Sequence, residues 1–462
     1  MCWWSPSGRL RSPVIDKRRN RVFAGAVWFH GKPAPPPESV ASRILVRRVL
    51  PVVLLMVLMV ACSASGSGAD WAFSPSVKIS ESYDSNIDFR FDQPEGDFIS
   101  SIRPNFRLSA QSDEDQLSLD STLNGLIYVK HPQLNRVETH NNGSWDRRWS
   151  ERFSSQLGVS FIKTTALESQ LEEAGIGTTL ADQYACNLQV GGSYALSERH
   201  KLSLTGSTGR TWYPSQQSNL PDADSAQGRL ALAWKLDEVT TIGLENLYSF
   251  KHYGGFSDDS FVDWQNVQFV RPALYWEYAF SETMSLTVGA GYRRTEIDIC
   301  YTFPVIDLLA PDQPAISRRT FTTAKRSDSY DFWGTVTKQW SKRLSSSLQA
   351  GRDQYSDVDG VTYNHIFLGF GFDYRLSELT QVGIDWRYDS NSGIERGLNE
   401  THYFRVSPTV ARKLTRDLTL RLGGSYQLQT RKALSPDNTD SADRMLIWAE
   451  LVWYLPRLLA GE

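Results

Sequence analysis

Hydrophobic and polar residues alternate along much of this chain with a period of two. The alternation is clearest in 417–429, where Leu418, Leu420 and Leu422 fall on one face and Thr419 falls on the other. Successive side chains of a β-strand point to opposite faces, so each such segment predicts a strand with one apolar and one polar side. The same alternation occurs in segments 284–293 and 381–388.

A second pattern separates the predicted strands. A short element, in which an aromatic residue or Leu precedes two or three polar residues, recurs about every 40 residues, as in Leu196-Ser-Glu-Arg-His and Leu376-Ser-Glu-Leu-Thr. Including a less regular copy at Ser112, it predicts eight tight turns. Nine longer polar connections lie between them, near 92–97, 131–135, 166–180, 214–224, 252–260, 299–319, 356–360, 391–398 and 431–441.

Eight short turns and nine long loops predict about eighteen strands with short turns on one rim and long loops on the other. This arrangement is typical of an all-β, transmembrane antiparallel β-barrel with short periplasmic turns and longer extracellular loops. The aromatic residues Trp149, Phe280, Trp340 and Tyr374 precede turns, where an interfacial girdle would place them. A soluble propeller or solenoid also repeats, but does not require one rim to be so much shorter.

Composition agrees with a barrel and excludes a helical membrane bundle. Mean hydropathy is −0.38 although 12% of residues are aromatic, and no apolar run after Ala69 reaches the ~20 residues of a membrane helix. The net charge of −3 gives no reason to expect nucleic acid as a partner. No Cys-x-x-Cys spacing suggests a metal, no cofactor is expected, and a disulfide between Cys186 and Cys300 stays open.

The N-terminal region carries a targeting pattern. Arg47 and Arg48 precede an apolar run over 49–61, and small residues follow as far as Ala69. This order predicts a signal peptide over 46–69, cut after Ala69, with lipidation at Cys62 as the alternative. Residues 1–45 are interpreted as a mispredicted extension and 70–462 as the barrel.

The first predicted strand reads Ser80-Glu-Ser-Tyr-Asp-Ser-Asn-Ile-Asp-Phe89. It resembles the opening strand of the β-barrel porin-2 group of outer-membrane proteins, several of which accompany exopolysaccharide synthesis or export. The resemblance implies an outer-membrane location and, as partners, polysaccharide and periplasmic export components. Members commonly close on a terminal aromatic residue, whereas here Trp453 and Tyr454 are followed by 455–462.

The Tyr-Asp-Ser-Asn motif occurs twice, each time where a strand meets a predicted outer loop. Its Asp and Asn oxygens suit a sugar hydroxyl or Ca²⁺, but both residues are also ordinary turn formers. The candidate loop residues are Tyr83, Asp84, Asn86, Tyr388, Asp389 and Asn391.

If the apolar faces point to lipid, the opposite faces line the lumen and carry many charges with an arginine bias. Such a wall either sets selectivity for an anionic solute or simply keeps the lumen hydrated. The candidate lumen residues are Arg229, Lys235, Arg293, Arg352, Arg375, Asp385, Arg387 and Arg421, together with Asp373 and Glu450.

Three classes of function are compatible with such a barrel. The favoured one is a pore or conduit for exopolysaccharide or small solutes, and the alternative is a surface scaffold or adhesion barrel with a closed lumen. An enzyme is not expected, because the sequence has no Gly-x-Ser-x-Gly and its histidines show no obvious nucleophile partner. Outer-membrane lipid and the barrel assembly machinery are further expected partners.

The targeting interpretation predicts that the mature chain begins at Asp70. Mass spectrometry of the native protein should find that N-terminus and no peptides from residues 1–40. Recovery of such upstream peptides would show that the extension is translated and retained.

Overall fold

The computed structural model describes residues 69–174, 180–214, 220–254, 262–307, 315–356, 362–393, 400–432, 439–456 and 458–460. The interpreted extension (1–45) and all of the signal peptide (46–69) except Ala69 lie outside the described residues, so both stay predictions. No helix in the described part is long and apolar enough to cross a membrane.

The described residues are almost entirely β-strand. A 3-10 turn lies at Pro132–Leu134, and helix α1 covers Ala166–Ala174. The strands are β1 (Asp70–Asp84), β2 (Asp97–Gln111), β3 (Asp115–Tyr128), β4 (Arg136–Arg148), β5 (Phe153–Thr165), β6 (Asp182–Ala195), β7 (His200–Trp212), β8 (Asp222–Lys235), β9 (Thr240–Gly254), β10 (Val262–Ser281), β11 (Met284–Asp307), β12 (Ala315–Ser341), β13 (Leu344–Ser356), β14 (Thr362–Arg375), β15 (Thr380–Gly393), β16 (Glu400–Lys413), β17 (Leu418–Lys432), β18 (Thr439–Tyr454) and β19 (Leu458–Ala460).

The strands form one closed antiparallel barrel. Each of β1 to β18 pairs with its neighbours in sequence, and β1 pairs with both β2 and β18. The three-residue β19 continues the line of β18 beyond Pro456 and pairs with Trp71–Phe73 at the start of β1. The prediction of eighteen strands is therefore confirmed, and the tail after Tyr454 extends the closing strand.

The two faces of the wall differ as the alternation predicts. On β8 the large apolar residues Leu230, Leu232 and Trp234 are exposed on one face, and Arg229 lies on the other. Cross-strand partners share a face, so the register carries the exposed apolar surface around the ring. An apolar outside and a polar inside identify a membrane barrel of the bacterial outer-membrane type, which confirms the predicted fold class and location.

The eight tight turns share one local cause. At the turn between β4 and β5, the Ser150 hydroxyl accepts hydrogen bonds from the amides of Arg152 and Phe153, at 3.3 and 3.1 Å. A side-chain oxygen that binds amides two or three residues onward stabilises a tight turn, which explains the repeated Ser-containing element of the sequence. The equivalent oxygens belong to Ser112, Ser197, Asp237, Ser281, Ser341, Ser377 and Thr415.

The structure corrects one predicted loop and decides one question that the sequence left open. The loop predicted over 299–319 is mostly strand, because β11 continues to Asp307 and β12 begins at Ala315. The disulfide left open between Cys186 and Cys300 does not form, since both are free thiols.

Ion pairs on the inner face brace the seam where the ring closes. Glu450 on β18 lies 4.0 Å from Arg103 on β2 and 3.6 Å from Arg421 on β17. The contact with Arg103 bridges across β1, and the contact with Arg421 joins the adjacent strands β17 and β18, so Glu450 links both sides of the closing strand. The candidates Arg421 and Glu450 thus lie on the inner wall, as predicted.

The two faces of the wall predict that neighbouring substitutions on β7 change the free energy of unfolding by very different amounts. Leu204→Arg introduces a charge among exposed apolar side chains and should lower the free energy of unfolding by about 2–4 kcal/mol if it lies near the bilayer midplane. Ser203→Arg, on the inner face, should change it by less than about 1 kcal/mol. Urea unfolding in phospholipid bilayers measures both, and equal effects would contradict the assignment of the faces.

Candidate functional site: the lumen and its outer plug

Helix α1 forms inside the predicted loop 166–180 for local reasons. Ala166–Ala174 consists of Ala, Leu, Glu, Gln and Ser, which are mostly good helix formers. The hydroxyl of Thr165 accepts a hydrogen bond from the Glu168 amide at 3.4 Å, as an N-cap does. Leu167 and Leu171, four residues apart, form one apolar stripe.

The helix lies across the lumen rather than above it. It begins at the end of β5, yet Leu167 and Leu171 pack against Tyr403 on β16, and the Glu172 carbonyl accepts a hydrogen bond from Arg387 on β15. Since β5 and β15 are on nearly opposite sides of the ring, these contacts are possible only through the interior.

The first outer loop, residues 85–96, also folds inward and meets the helix. Phe89 packs with the leucines of α1 and is 2% exposed. Its φ of 53° is an unfavourable backbone conformation for a bulky residue, so the packing must offset that strain. Phe91 packs against the same cluster and lies under the guanidinium of Arg431, 5.0 Å from the ring centroid. We call this loop together with α1 the plug.

An ion triad joins the plug to the barrel wall: Arg444 and Asp84 are buried and belong to the wall, and Glu168, whose side chain is 38% exposed, belongs to the plug. Arg444 on β18 lies 2.6 Å from Asp84 and 2.9 Å from Glu168 of α1. Arg444 holds the pKa of the Glu168 carboxyl below its usual value. Arg444 is buried and keeps Asp84 as a partner on the wall, so its contact with Glu168 is the one that holds the plug.

Beneath the plug, the inner wall contains polar groups that the plug does not satisfy. Gln429 and Tyr403 pair across β16 and β17 and are both 0% exposed. In the part of the chain that is described, neither amide atom of Gln429, nor the Tyr403 hydroxyl, nor Oε1 of Gln427 has a hydrogen-bond partner. Each such group costs about 1–3 kcal/mol, which opposes the closed position of the plug.

Away from the plug, the wall from β8 to β12 bears a ladder of alternating charges. Arg229 and Arg271 donate to separate oxygens of Glu245, at 2.9 Å for Nε of Arg229 and 2.7 Å for Nη2 of Arg271. Arg271 also approaches Asp331 at 3.7 Å, and Arg293 donates to Asp331 at 2.6 Å. Both carboxylates are buried, so three guanidinium groups surround two acids.

A second charged cluster lies on β13 to β15. His365 lies between Asp353 and Asp389, with ring nitrogens 2.9 and 2.8 Å from their oxygens. Arg387 donates to both oxygens of Asp389, at 2.7 and 2.9 Å. Because Arg387 also holds the helix carbonyl of Glu172, this cluster supports the plug three strands along the wall from the ion triad.

The two Tyr-Asp-Ser-Asn motifs are held by contacts within the protein: the first lies at the end of β1, and the second lies inside β15 rather than at a loop. Asp84 and Asp389 are occupied by Arg444 and Arg387 as described. Asn86 donates to the Arg90 carbonyl and accepts from the Arg90 amide, at 2.9 and 2.8 Å. Asn391 is fully buried on the inner face, whereas the tyrosines of both motifs lie on the outer face, Tyr83 against Phe98 and Tyr388 bonded to His402.

One predicted lumen residue is misplaced. Arg352 pairs with Phe332 and Ile366, which are exposed apolar residues, so it lies on the outer face. The reason is the strand period, because Arg352 has the same parity as Leu348. The other lumen candidates lie on the inner face; Lys235, Arg375, Asp373 and Asp385 are exposed toward the lumen or its inner rim.

Several residues of the candidate site were not predicted. The ladder partners Glu245, Arg271 and Asp331 belong to strands distant in sequence, and no local signal marks them. The helix had a signal, because Thr165-Ala-Leu-Glu168 fits the capping pattern Thr-x-x-Glu.

No protein-family model matches the sequence, and no curated protein matches it. Among solved structures, the chain is similar to the open form of the ferric-catecholate import receptor Fiu from E. coli K12, with 8% identity, a TM-score of 0.43, and coverage of 82% of this chain and 81% of that one. The FrpB iron transporter of Neisseria meningitidis, F5-1 variant, is similar with 8% identity, a TM-score of 0.43, and coverage of 84% of this chain and 81% of that one. Pseudomonas aeruginosa OccK2 (OpdF) in complex with glucuronate is similar with 9% identity, a TM-score of 0.41, and coverage of 84% of this chain and 98% of that one. These likenesses are too distant to bear on function.

The ion triad predicts that acid loosens the plug. A lowered pKa means that Glu168 stabilises the plug above its unfolded-state pKa of 4.5, and that this contribution is lost as pH falls through the lower folded value. Hydrogen-exchange protection of the α1 amides should therefore drop between about pH 6 and about pH 3. Glu168→Gln should show a smaller drop; a drop as large as that of the unaltered protein would assign the effect to other carboxylates.

Proposed function

We propose that this barrel is a gated conduit for polar solutes, in which withdrawal of the plug opens the outer mouth. The observation that carries the proposal is the plug itself, which crosses the lumen and covers polar wall groups without satisfying them. Passage through such a lumen needs no covalent chemistry.

The charged wall suits a solute that moves by many weak contacts. Its arginines and acids alternate, as in the ladder of Arg229, Glu245, Arg271, Asp331 and Arg293, so attraction is distributed rather than concentrated at one position. An exopolysaccharide is the finer form of the proposal. It is supported by the resemblance of 80–89 to barrels of export clusters, and it implies periplasmic export components as partners.

A scaffold with a permanently closed lumen is the second candidate. The observation in its favour is the contact of the buried Arg444 with Glu168, which withdrawal of the plug has to break. Against it stand the unsatisfied groups of Gln429 and Tyr403, since a permanent closure would keep them desolvated.

Single-channel recording of residues 70–462 in planar bilayers tests the gate. The double variant Asp84→Asn/Arg444→Met removes both buried charges of the triad and leaves the part-exposed Glu168 of the plug without its anchor. It should spend a larger fraction of time in an open, ohmic state than the unaltered protein. Block of that current by an anionic oligosaccharide would support the polysaccharide form.

The matched control is Arg107→Met/Asp120→Asn, which removes a 2.7 Å ion pair from the wall of β2 and β3. It should leave the open fraction unchanged. Equal conductance in all three proteins would show that the plug is no gate. Absence of current from a folded, heat-modifiable double variant would instead support the closed scaffold.

A further inference from the structure

A cavity of about 450 Å³ opens on the inner wall along β6 to β10 and β12. It faces the lumen on the side away from the strands β15 to β18 that anchor the plug. The size falls within the range of small-molecule sites. The lining includes Gln189, Gln227, Arg229, Glu245, Arg271 and Trp333.

The cavity presents cations to the lumen and hides its acids. The side chain of Arg229 is 52% exposed, whereas that of Glu245 is 1% exposed. Both oxygens of Glu245 are occupied by Arg229 and Arg271. An incoming anion therefore meets a guanidinium group first and is screened from the carboxylate.

The exposed guanidinium retains donors for a ligand. Arg229 directs Nε and Nη2 to a single oxygen, Oε2 of Glu245. Within the described ranges, its Nη1 has no hydrogen-bond partner. A carboxylate is the natural acceptor, because the planar group binds it in a fixed geometry that an ammonium does not offer.

The rest of the lining suits the other parts of a sugar. Gln189 and Gln227 are exposed amides that both donate and accept, as hydroxyl groups require. Trp333 adds a flat apolar surface, held by Arg271 whose guanidinium lies 4.7 Å from the ring. Small-molecule sites combine an aromatic wall with a few placed polar groups in this way.

We propose that this cavity is a binding site for a carboxylate-bearing pyranose, that is, a uronic acid unit of an oligosaccharide or polysaccharide. The proposal rests on the proposed function in one respect, since the ligand reaches the cavity through the lumen. It adds the chemical class of the solute and the position where the conduit holds it.

Isothermal titration calorimetry on the folded barrel in detergent tests the site without requiring conductance. Digalacturonate should bind at least about tenfold more tightly than lactose or acetate. Equal binding of lactose would show that the guanidinium has no role, and equal binding of acetate would show that the ring has none. Either result, or no binding of digalacturonate, overturns the proposal, while the conductance experiment continues to decide whether the barrel is a pore.

Variants localise the binding. Arg229→Gln should weaken digalacturonate binding roughly tenfold or more, and Arg229→Lys should have an intermediate effect. The control Arg107→Gln changes an exposed inner-wall arginine outside the cavity and should have no effect. If it weakens binding as much as Arg229→Gln, the charge of the whole lumen binds the ligand and the site is refuted. Gln227→Ala, which leaves the ladder intact, should also weaken binding and replaces Arg229→Gln should that variant not fold.

Discussion

The pairing of β1 with β18 is the constraint on which the rest of the molecule depends. A sheet in lipid cannot leave an edge of bare amides and carbonyls, because hydrocarbon offers them no partner. Closure removes the edge and fixes which face of every strand points inward. Glu450, held between Arg103 and Arg421, reinforces this seam from the inside, and β19 prolongs it beyond Pro456.

Once the ring is closed, the polar residues of every strand share one confined interior. Charges that would be solvated on an open sheet face one another there, so they pair across strands, as in the ladder from Arg229 to Arg293. The same confinement allows an outer loop to reach the far wall. Helix α1 uses this possibility when it extends from β5 to Arg387 on β15.

The strands and turns could be predicted because their causes are local. Alternation fixes the strands, and a Ser, Thr or Asp oxygen caps each tight turn. The partners of the lumen charges could not be predicted, because their contacts join residues such as Asp84 and Arg444, 360 positions apart. Arg352 is different: its parity with Leu348 and Ala350 already indicated the outer face. The long β11–β12 hairpin was missed because 299–319 was interpreted as one of the long connections between strands, whereas β11 and β12 extend into it.

The plug balances two opposing contributions. Apolar packing of Phe89, Leu167 and Leu171, together with the ion triad, stabilises closure. In the described residues, buried polar atoms of Gln429, Tyr403 and Gln427 have no protein partner, and a group in that state opposes closure by about 1–3 kcal/mol where it stays dry. A two-state equilibrium shifts from about 99% closed to about 99% open when the free-energy difference between the two states changes by about 5.5 kcal/mol. Ligand binding or titration can supply a change of that size. If the plug is the gate that we propose, the polar wall beneath it favours reopening, which a permanently sealed barrel would not require.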